Sequence, residues 1–504
     1  MGLPIFVKQM ALRAGAIFVV KLLGFAARIP LFRLLDSEGI GLYQIAYSFY
    51  GLALTVISGG FPTALALTTA QDRRKGWQLY KTATLLLASI GGALAWLCYQ
   101  IAPLLARWLG HSDLEMAVRY IAPALFLVPL LFLLRSFLQG LEHYGPIAWS
   151  ELTEQIVRLS VMLLLVSLWI PSGLGRAVGG AVMGASAGAL IAFLLLLAIL
   201  FFRRKSLGLS RHPDAAAGPA DNRIRLFLYS ALSISAARLI VPVSDFLEAL
   251  IIPYRLQQAG MSASEAASTF GQIAGVAATI VYMPTLLTSA LAFTLAAKIT
   301  SDWQNKEVSR FLHRSQAAIH IGCLWGIGSA WILFHYSAEL SLLVFSEDSA
   351  STPVRYMFLA PLFSGVQQLT TVILWASGNK KTPLSGLIAG CICSAALHFA
   401  LLGIPGFAYA GAAIGILSLE LVSALWNLTV IFKLKSSFPR HWFPIWKTAG
   451  LVLLCLLGSS LNGWLIDPLP IAEPVRSIVS LFFLYSLVLL YILLTYRMTR
   501  EITK

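Results

Sequence analysis

About fourteen stretches of this chain carry some twenty consecutive, mostly apolar residues, the length at which an α-helix crosses the hydrocarbon core of a bilayer. They lie near 11–33, 40–68, 80–104, 118–139, 148–170, 177–202, 226–251, 269–297, 312–335, 354–376, 383–403, 408–432, 444–466 and 475–496. Apolar residues fill 58% of the 504 positions and charged residues only 12%, whereas a water-soluble domain carries roughly a quarter charged. The expected fold is an all-α polytopic membrane protein of about 14 transmembrane helices, with short outer loops that leave no room for an extracellular catalytic domain.

Residues 203–225, with Pro213, Gly218 and Pro219, break the apolar pattern for long enough to be a linker. The expected organisation is therefore a six-helix lobe over 1–202, a cytoplasmic linker over 203–225, a second six-helix lobe over 226–433, and two additional helices with a cytoplasmic tail over 434–504. Weak internal similarity supports a duplication with pseudo-twofold symmetry. Thr63-Ala64-Leu65-Ala66 resembles Ser289-Ala290-Leu291-Ala292, and the same offset brings Trp77 onto Trp303. Arg119-Tyr120 and Arg355-Tyr356 open corresponding spans. Repeats of this kind build many transporters, with the substrate path between the halves. Glycines at four-residue spacing, Gly180/Gly184/Gly188, Gly386/Gly390 and Gly411/Gly415, mark faces where helices approach closely in lipid.

The net charge of +15 is distributed as a topology signal rather than as a nucleic-acid surface. Most of the 37 lysines and arginines fall in the two terminal segments and in loops after even-numbered spans, which places both termini in the cytoplasm. The clusters Arg73-Arg74-Lys75, Arg203-Arg204-Lys205 and Lys433/Lys435 serve that asymmetry first and contact with anionic membrane lipids second. The apolar run after Lys8 and Arg13 has no small-residue cleavage site and reads as a retained first helix. The five cysteines sit in apolar runs and read as reduced packing residues.

Charges inside the spans carry the functional information. A charge at mid-bilayer costs a few kcal/mol even on the lenient scale, so it should face a protein interior or a water-filled cavity. Lys21, Arg28, Arg135, Arg158 and Arg238 are basic; Glu151, Glu154, Asp245, Glu248 and Glu420 are acidic. Lys21, Gly24 and Arg28 share one helix face. Lys21 lies ~15 Å along its helix, near mid-membrane. Ser235, Arg238, Pro242, Asp245 and Glu248 form another stripe. Pro242 should bend that helix, and Arg238 either pairs with Asp245 or binds an anion. Glu151, Glu154 and Arg158 share a third face, where Glu154 and Arg158 have the favoured i, i+4 order for an ion pair. Arg135, near a span end, is read on physics alone as snorkelling to the interface. Glu420/Ser423/Asn427 and Ser364/Gln367/Thr371 are polar stripes that can be helix glue or cavity wall. His398, alone in its span, reads as a hydrogen-bonded packing residue.

No phosphate-cradling loop, metal-ligand spacing or nucleophile motif is present. No enzyme activity, catalytic residue, metal or cofactor is expected.

Lys21, Gly24, Arg28, Pro30, Arg33, Glu38, Gly39, Gly41, Tyr43 and Gln44 resemble the first helix-and-turn of the stage V sporulation protein B-like polysaccharide transporters. Arg135, Gln139, Gly140 and Pro146, followed by Glu154, Gln155 and Arg158, are similar to that family's segment joining spans 4 and 5. Asp245 also has a counterpart. The family belongs to the multidrug/oligosaccharidyl-lipid/polysaccharide exporter superfamily, which includes MurJ-type lipid II flippases. The resemblance implies two lobes around a central cavity in the bacterial cytoplasmic membrane. It also implies translocation of undecaprenyl-diphosphate-linked saccharide by alternating access, driven by membrane potential or an ion gradient. Lys21, Arg28, Arg135 and Arg238 are then the substrate-binding residues, and Glu154, Arg158, Asp245 and Glu248 the ion-coupling or gating residues, with Na+ or H+ as coupling ion. Implied partners are the lipid-linked saccharide, membrane lipids and the cell-wall or polysaccharide synthesis machinery, around a monomer. Ser136 and Leu138 depart from the Gly-Tyr-Phe run common in relatives, which bears on substrate preference more than on fold. Two other classes are weighed. A cation-coupled multidrug antiporter would favour a net-acidic, aromatic cavity. A polysaccharide polymerase or ligase would need a large outer loop with catalytic side chains.

Overall fold

The structure, a computed structural model, describes residues 5–202, 220–346, 348–433, 445–466, 468, 470 and 472–502. Residues 203–219 of the expected linker, the Arg203-Arg204-Lys205 cluster and Lys435 lie outside the described residues. Among those described there is no strand, as a chain with so little backbone outside apolar runs requires. Ten helices are long and apolar enough to cross a membrane, or up to twelve if each of two bent pairs is one crossing. The protein is a multi-pass membrane protein.

Contacts divide it into two compact units, Met1–Gln257 with Met261–Gly271, and Gln258–Gly260 with Gln272–Lys504. The first contains α1 (Ile5–Ser58), α2 (Phe61–Gln71), α3 (Arg73–Gln100), α4 (Ala102–Trp108), α5 (Leu114–Gly140), α6 (Tyr144–Trp169), α7 (Leu174–Phe202), α8 (Ala220–Arg238), α9 (Ile240–Gln258) and α10 (Ala263–Phe270). Helices α8 and α9, which follow the linker in sequence, pack with this unit. A straight helix of 54 residues such as α1 would reach ~80 Å, far beyond a bilayer, and α1 is broken at Asp36, where φ is 53° and ψ −176°. That conformation is nearly restricted to glycine. Tight packing just after it holds the turn. A Cβ on Gly41 would lie 1.9 Å from the Ala267 carbonyl oxygen, and one on Gly271 would lie 2.0 Å from that of Ser37. Backbone therefore meets backbone between α1 and α10, and the Gly41 of the sequence motif is there for contact.

The Gly180/Gly184/Gly188 face of α7 does what its spacing predicts. Cβ atoms on Gly184 and Gly188 would stand 2.6 Å from the carbonyl oxygens of Arg158 and Glu154, so α7 lies directly behind the charged helix α6.

A π-helical turn (Gly271–Ala277) leads into the second unit, which contains α11 (Ala278–Val281), α12 (Thr285–Gln304), α13 (Val308–His335), α14 (Ser337–Phe345), α15 (Ser351–Tyr356), α16 (Ala360–Ala376), α17 (Lys381–Leu401), α18 (Ala408–Lys433), α19 (Ile445–Leu465) and α20 (Glu473–Ile502). Two clusters of its core tie the helices together. Ile299, Phe311, Ile319, Ile373, Leu374 and Ile431 join α12, α13, α16 and α18. Leu324, Ile332, Leu451, Leu484 and Val488 dock the α19–α20 hairpin on α13, where the Trp331 indole also donates to Ser459 Oγ at 3.0 Å. His398 is fully buried, with Nε2 3.1 Å from the Ala412 carbonyl oxygen, and presses against Gly415. It is a packing residue. The five cysteines are free, and Cys98, Cys323 and Cys455 are buried.

Candidate functional site

Nine of the ten intramembrane charges singled out in the sequence, all but Glu420, lie in the first unit, with α6 as the spine of one row. This helix begins after the short turn at residues 141–143, and positions three, four and seven residues apart place Glu151, Glu154 and Arg158 in one row. Each takes a partner from a different segment. Glu151 faces Arg13 of α1 at 3.5 Å. Glu154 Oε2 accepts from Arg135 Nη1 of α5 at 2.6 Å, and Arg135 Nε donates to Ser150 Oγ at 2.8 Å. Arg158 Nη2 donates to the Tyr47 hydroxyl of α1 at 2.5 Å, with the guanidinium 5.2 Å from that ring's centre.

Two sequence expectations change here. Glu154 does not pair with Arg158, although they are one helical turn apart. Arg135 reaches Glu154 from the neighbouring helix, and the tyrosines of α1 draw Arg158 to the other side. Nor does Arg135 snorkel. Its side chain is only 11% exposed and is held inside the unit by two hydrogen bonds.

The tyrosines were the signal that charge-centred reasoning passed over. Tyr43, Tyr47 and Tyr50 stand at i, i+4 and i+7, so they share the face of α1 that meets α6. Their ring centroids are 5.5 Å and 5.6 Å apart. Arg13, read in the sequence only as a charge preceding the first apolar run, and Ser150, of a type that in a helix usually bonds its own backbone, were not singled out for the site. Ser150 does this too, donating to the Ile147 carbonyl.

Satisfaction of this row is incomplete. Arg135 Nη2, Glu151 Oε2 and Arg13 Nε are buried without hydrogen-bond partners. Each such atom forfeits about 1–3 kcal/mol; two are donors, on Arg13 and Arg135, and one is an acceptor, on Glu151. Higher on α1, Gly24 lies beside α6, and a Cβ there would be 3.2 Å from Gln155 Nε2. Lys21 and Arg28 flank this contact and both are exposed. Among the described residues Lys21 has no hydrogen bond or ion pair.

The α8–α9 stripe is arranged differently from either sequence alternative. The two helices bend by 41° at Leu239. Pro242 has no N–H to give the Arg238 carbonyl four residues before it, which weakens the ladder at that point. Arg238 turns to α1 and donates to the Gly59 carbonyl at 2.8 Å; it does not pair with Asp245. Asp245 is exposed and has no partner among the described residues, while Glu248 is half-buried. Phe246 packs on Phe49 with ring centroids 6.1 Å apart, fixing α9 against α1.

In the second unit the two polar stripes divide their roles. Asn427 Nδ2 donates to Thr370 and Thr371 at 3.2 Å each, and Ser423 Oγ donates to the Gly386 carbonyl. They glue α18 to α16 and α17. Glu420 is half-buried beside Tyr282 and Ser364, with Oε2 unpartnered. Gln367 and Thr371 instead line an open groove. No group of three or more histidine, cysteine, aspartate or glutamate side chains suited to a metal ion occurs among the described residues.

Comparison with known proteins accords with this geometry. The family model described as "Polysaccharide biosynthesis protein" matches residues 6–259, the part that holds the charged row. Stage V sporulation protein B of Bacillus subtilis (strain 168) is 26% identical over 435 residues, 84% of this chain and 83% of that protein. The lipid II flippase MurJ of the same organism is 26% identical over 421 residues, 76% of this chain and 75% of its own length. Among solved structures, the lipid II flippase MurJ in an inward closed conformation matches with a TM-score of 0.67 at 14% identity. It covers 97% of this chain and 99% of that one, so the fold is shared.

Proposed function

The chain belongs to the polysaccharide biosynthesis protein family, and from that premise we propose that it moves an undecaprenyl-diphosphate-linked saccharide across the bacterial cytoplasmic membrane. The observation that carries this reading is the positive charge left over in the first unit. Lys21 is unpartnered among the described residues, Arg238 bonds a neutral carbonyl, and Arg135 keeps one guanidinium nitrogen free beside its ion pair. Arg28, on the same face of α1 as Lys21, is exposed as well. A diphosphate brings about two negative charges that hydrocarbon cannot solvate. Charge-assisted hydrogen bonds from these side chains would replace its water, while the prenyl chain stays in lipid. The names of the curated relatives, a sporulation protein and a lipid II flippase, support the same class.

The protein is not an enzyme on this reading but a secondary transporter working by alternating access. Moving one charge through 100 mV supplies ~2.3 kcal/mol, so one or two ions suffice as drive. Asp245, exposed and unpaired, is the first candidate to take up Na+ or H+; Glu154, Arg158 and Glu248 gate. The distribution of basic loops supports a cytoplasmic position for both termini. Fourteen crossings would follow if the Gly15–Gln71 run is divided at Asp36, each bent pair is one crossing and the 17-residue α16 is added. The monomer would hand its cargo between the synthesis machinery on one side of the membrane and polymerising enzymes on the other.

Proteoliposomes holding the purified protein should move a fluorescent undecaprenyl-diphosphate disaccharide between leaflets faster than empty vesicles. Lys21→Ala and Arg238→Ala should each slow that movement at least tenfold while the protein remains folded. Unchanged rates in both variants would remove the anion-carrier reading, and uptake of an organic cation in place of the lipid would favour a multidrug antiporter.

A further inference from the structure

The second unit encloses a groove of about 560 Å3 between α12 and α16, within the roughly 300–1,000 Å3 range of small-ligand sites. Ser289, Gln367, Gln368 and Thr371 converge on it, and Phe293 and Trp375 lie along it. None of its lining residues is charged.

Its chemistry narrows the occupant. Both glutamines lie on a helix otherwise made for an apolar setting, where an amide left facing hydrocarbon would go unsatisfied. The exposed lining is mostly apolar, with a few amide and hydroxyl groups set into it, a mixture that suits a ligand with both an apolar face and hydroxyls better than a uniformly apolar acyl chain. A neutral lining offers a diphosphate nothing. Gln368 is anchored, accepting from Ser289 Oγ at 2.7 Å and donating to Ser364 Oγ at 3.1 Å. Gln367 has only a long contact, 3.5 Å, to Thr371 Oγ1, which leaves an amide donor and acceptor available. Phe293 and Trp375 are 79% and 56% exposed, and the Trp375 indole N–H has no partner among the described residues. A pyranose ring matches this set. It presents an apolar C–H face for stacking on aromatic rings and a rim of hydroxyls for amides and an indole N–H.

We propose that this groove binds the neutral saccharide of the transported lipid, an assignment that rests on the flippase reading above. In it α12 and α16 discriminate between sugar-bearing and bare carrier.

The test measures binding of two probes to the full-length protein in detergent: undecaprenyl diphosphate carrying a disaccharide, and bare undecaprenyl diphosphate. Wild type should bind the first more tightly. Trp375→Ala and Gln367→Ala should weaken the sugar-bearing lipid about tenfold and leave the bare lipid within about twofold. Trp375→Phe, which keeps a stacking face, should retain most of the preference. Both positions face the groove, and an unchanged thermal midpoint confirms folding; Phe293→Ala, at a highly exposed site, gives an independent variant. If wild type binds bare lipid but shows no sugar preference, the groove assignment falls while the flippase reading stands. Equal weakening of both lipids would assign the groove to the prenyl chain and overturn the inference. Failure of wild type to bind either lipid would sink the flippase reading, and the groove assignment with it.

Discussion

Arg238 donates a 2.8 Å hydrogen bond to the carbonyl oxygen of Gly59, joining the break between α8 and α9 to the break between α1 and α2. One turn earlier, Ser235 Oγ accepts from the Gly60 backbone N–H at 2.7 Å. Two interrupted helices are thus fastened at their interruptions, where backbone groups are free to bond.

Gly60 should tolerate no side chain. A Cβ there would come 1.9 Å from the Ala231 carbonyl oxygen and 2.7 Å from the Ser235 nitrogen. Gly60→Ala must push α2 from α8, at about 1–3 kcal/mol or more, and should lower the thermal midpoint and slow transport together. An unchanged midpoint would mean that the α2–α8 contact is looser than described.

The Arg135–Glu154 pair allows a sharper separation of stability from function. Glu154→Gln leaves a nearly buried guanidinium without its counter-charge and should cost about 3–5 kcal/mol. Replacing both partners by methionine should recover much of that stability yet leave transport impaired, because the cation is gone. Thermal unfolding in detergent, read beside vesicle transport, checks both halves.

A double-mutant cycle distinguishes the observed pairing from the one that sequence spacing suggests. Coupling between Arg135 and Glu154 should reach 1 kcal/mol or more, and coupling between Glu154 and Arg158 should be only a few tenths, as rough figures. Tyr47→Phe should separately cost about 1 kcal/mol, since it removes the hydroxyl but keeps the ring under the guanidinium. A larger Glu154–Arg158 coupling would reverse the assignment.

Two glycines of the same helix should behave oppositely. Gly41→Ala would clash with the Ala267 carbonyl at 1.9 Å, whereas a Cβ on Gly51 meets nothing within 4 Å. Gly51→Ala should therefore be neutral or stabilise by about 0.5–1 kcal/mol, and Gly41→Ala should disrupt folding. Expression level and thermal midpoint of the two variants decide it.

Asp72, outside the membrane spans, caps α3 by accepting from the Arg74 and Lys75 backbone N–H groups at 2.9 Å and 3.1 Å. The backbone bond from Lys75 is the main cause of a carboxyl pKa below its ordinary value. A lowered folded-state pKa contributes stability that is complete above the unfolded value and is lost as pH falls through the folded one. Solvent screening at this exposed position keeps the effect small. Hydrogen-exchange protection at the start of α3, taken relative to the intrinsic rate at each pH, should fall in acid for the native residue, and Asp72→Asn, which can still cap, should remove that pH dependence.

Apolar periods and intramembrane charges made the membrane class, most crossings and the row Glu151–Glu154–Arg158 legible, because burial in lipid and helical spacing act along one chain. Small-residue spacing likewise foretold the approach of α7 to α6. Partner choice was not legible. Glu154 and Arg158 satisfy every local condition for an ion pair, yet Arg135 and Tyr47, brought in from α5 and α1, offer nearer groups. The same holds for Arg238, whose helical neighbour Asp245 lost to a carbonyl far away in sequence.

Local order along the chain thus decided which residues are helical, which faces are polar and which side chains carry charge into the bilayer. Only tertiary packing decided whom each charge meets, whether a polar stripe becomes glue, as at Asn427, or groove wall, as at Gln367, and how much positive charge is left unanswered. The physical reason is range: propensity and periodicity act within a few turns, whereas a hydrogen bond needs its partner within 3 Å, and in a helical membrane protein that partner comes from another helix.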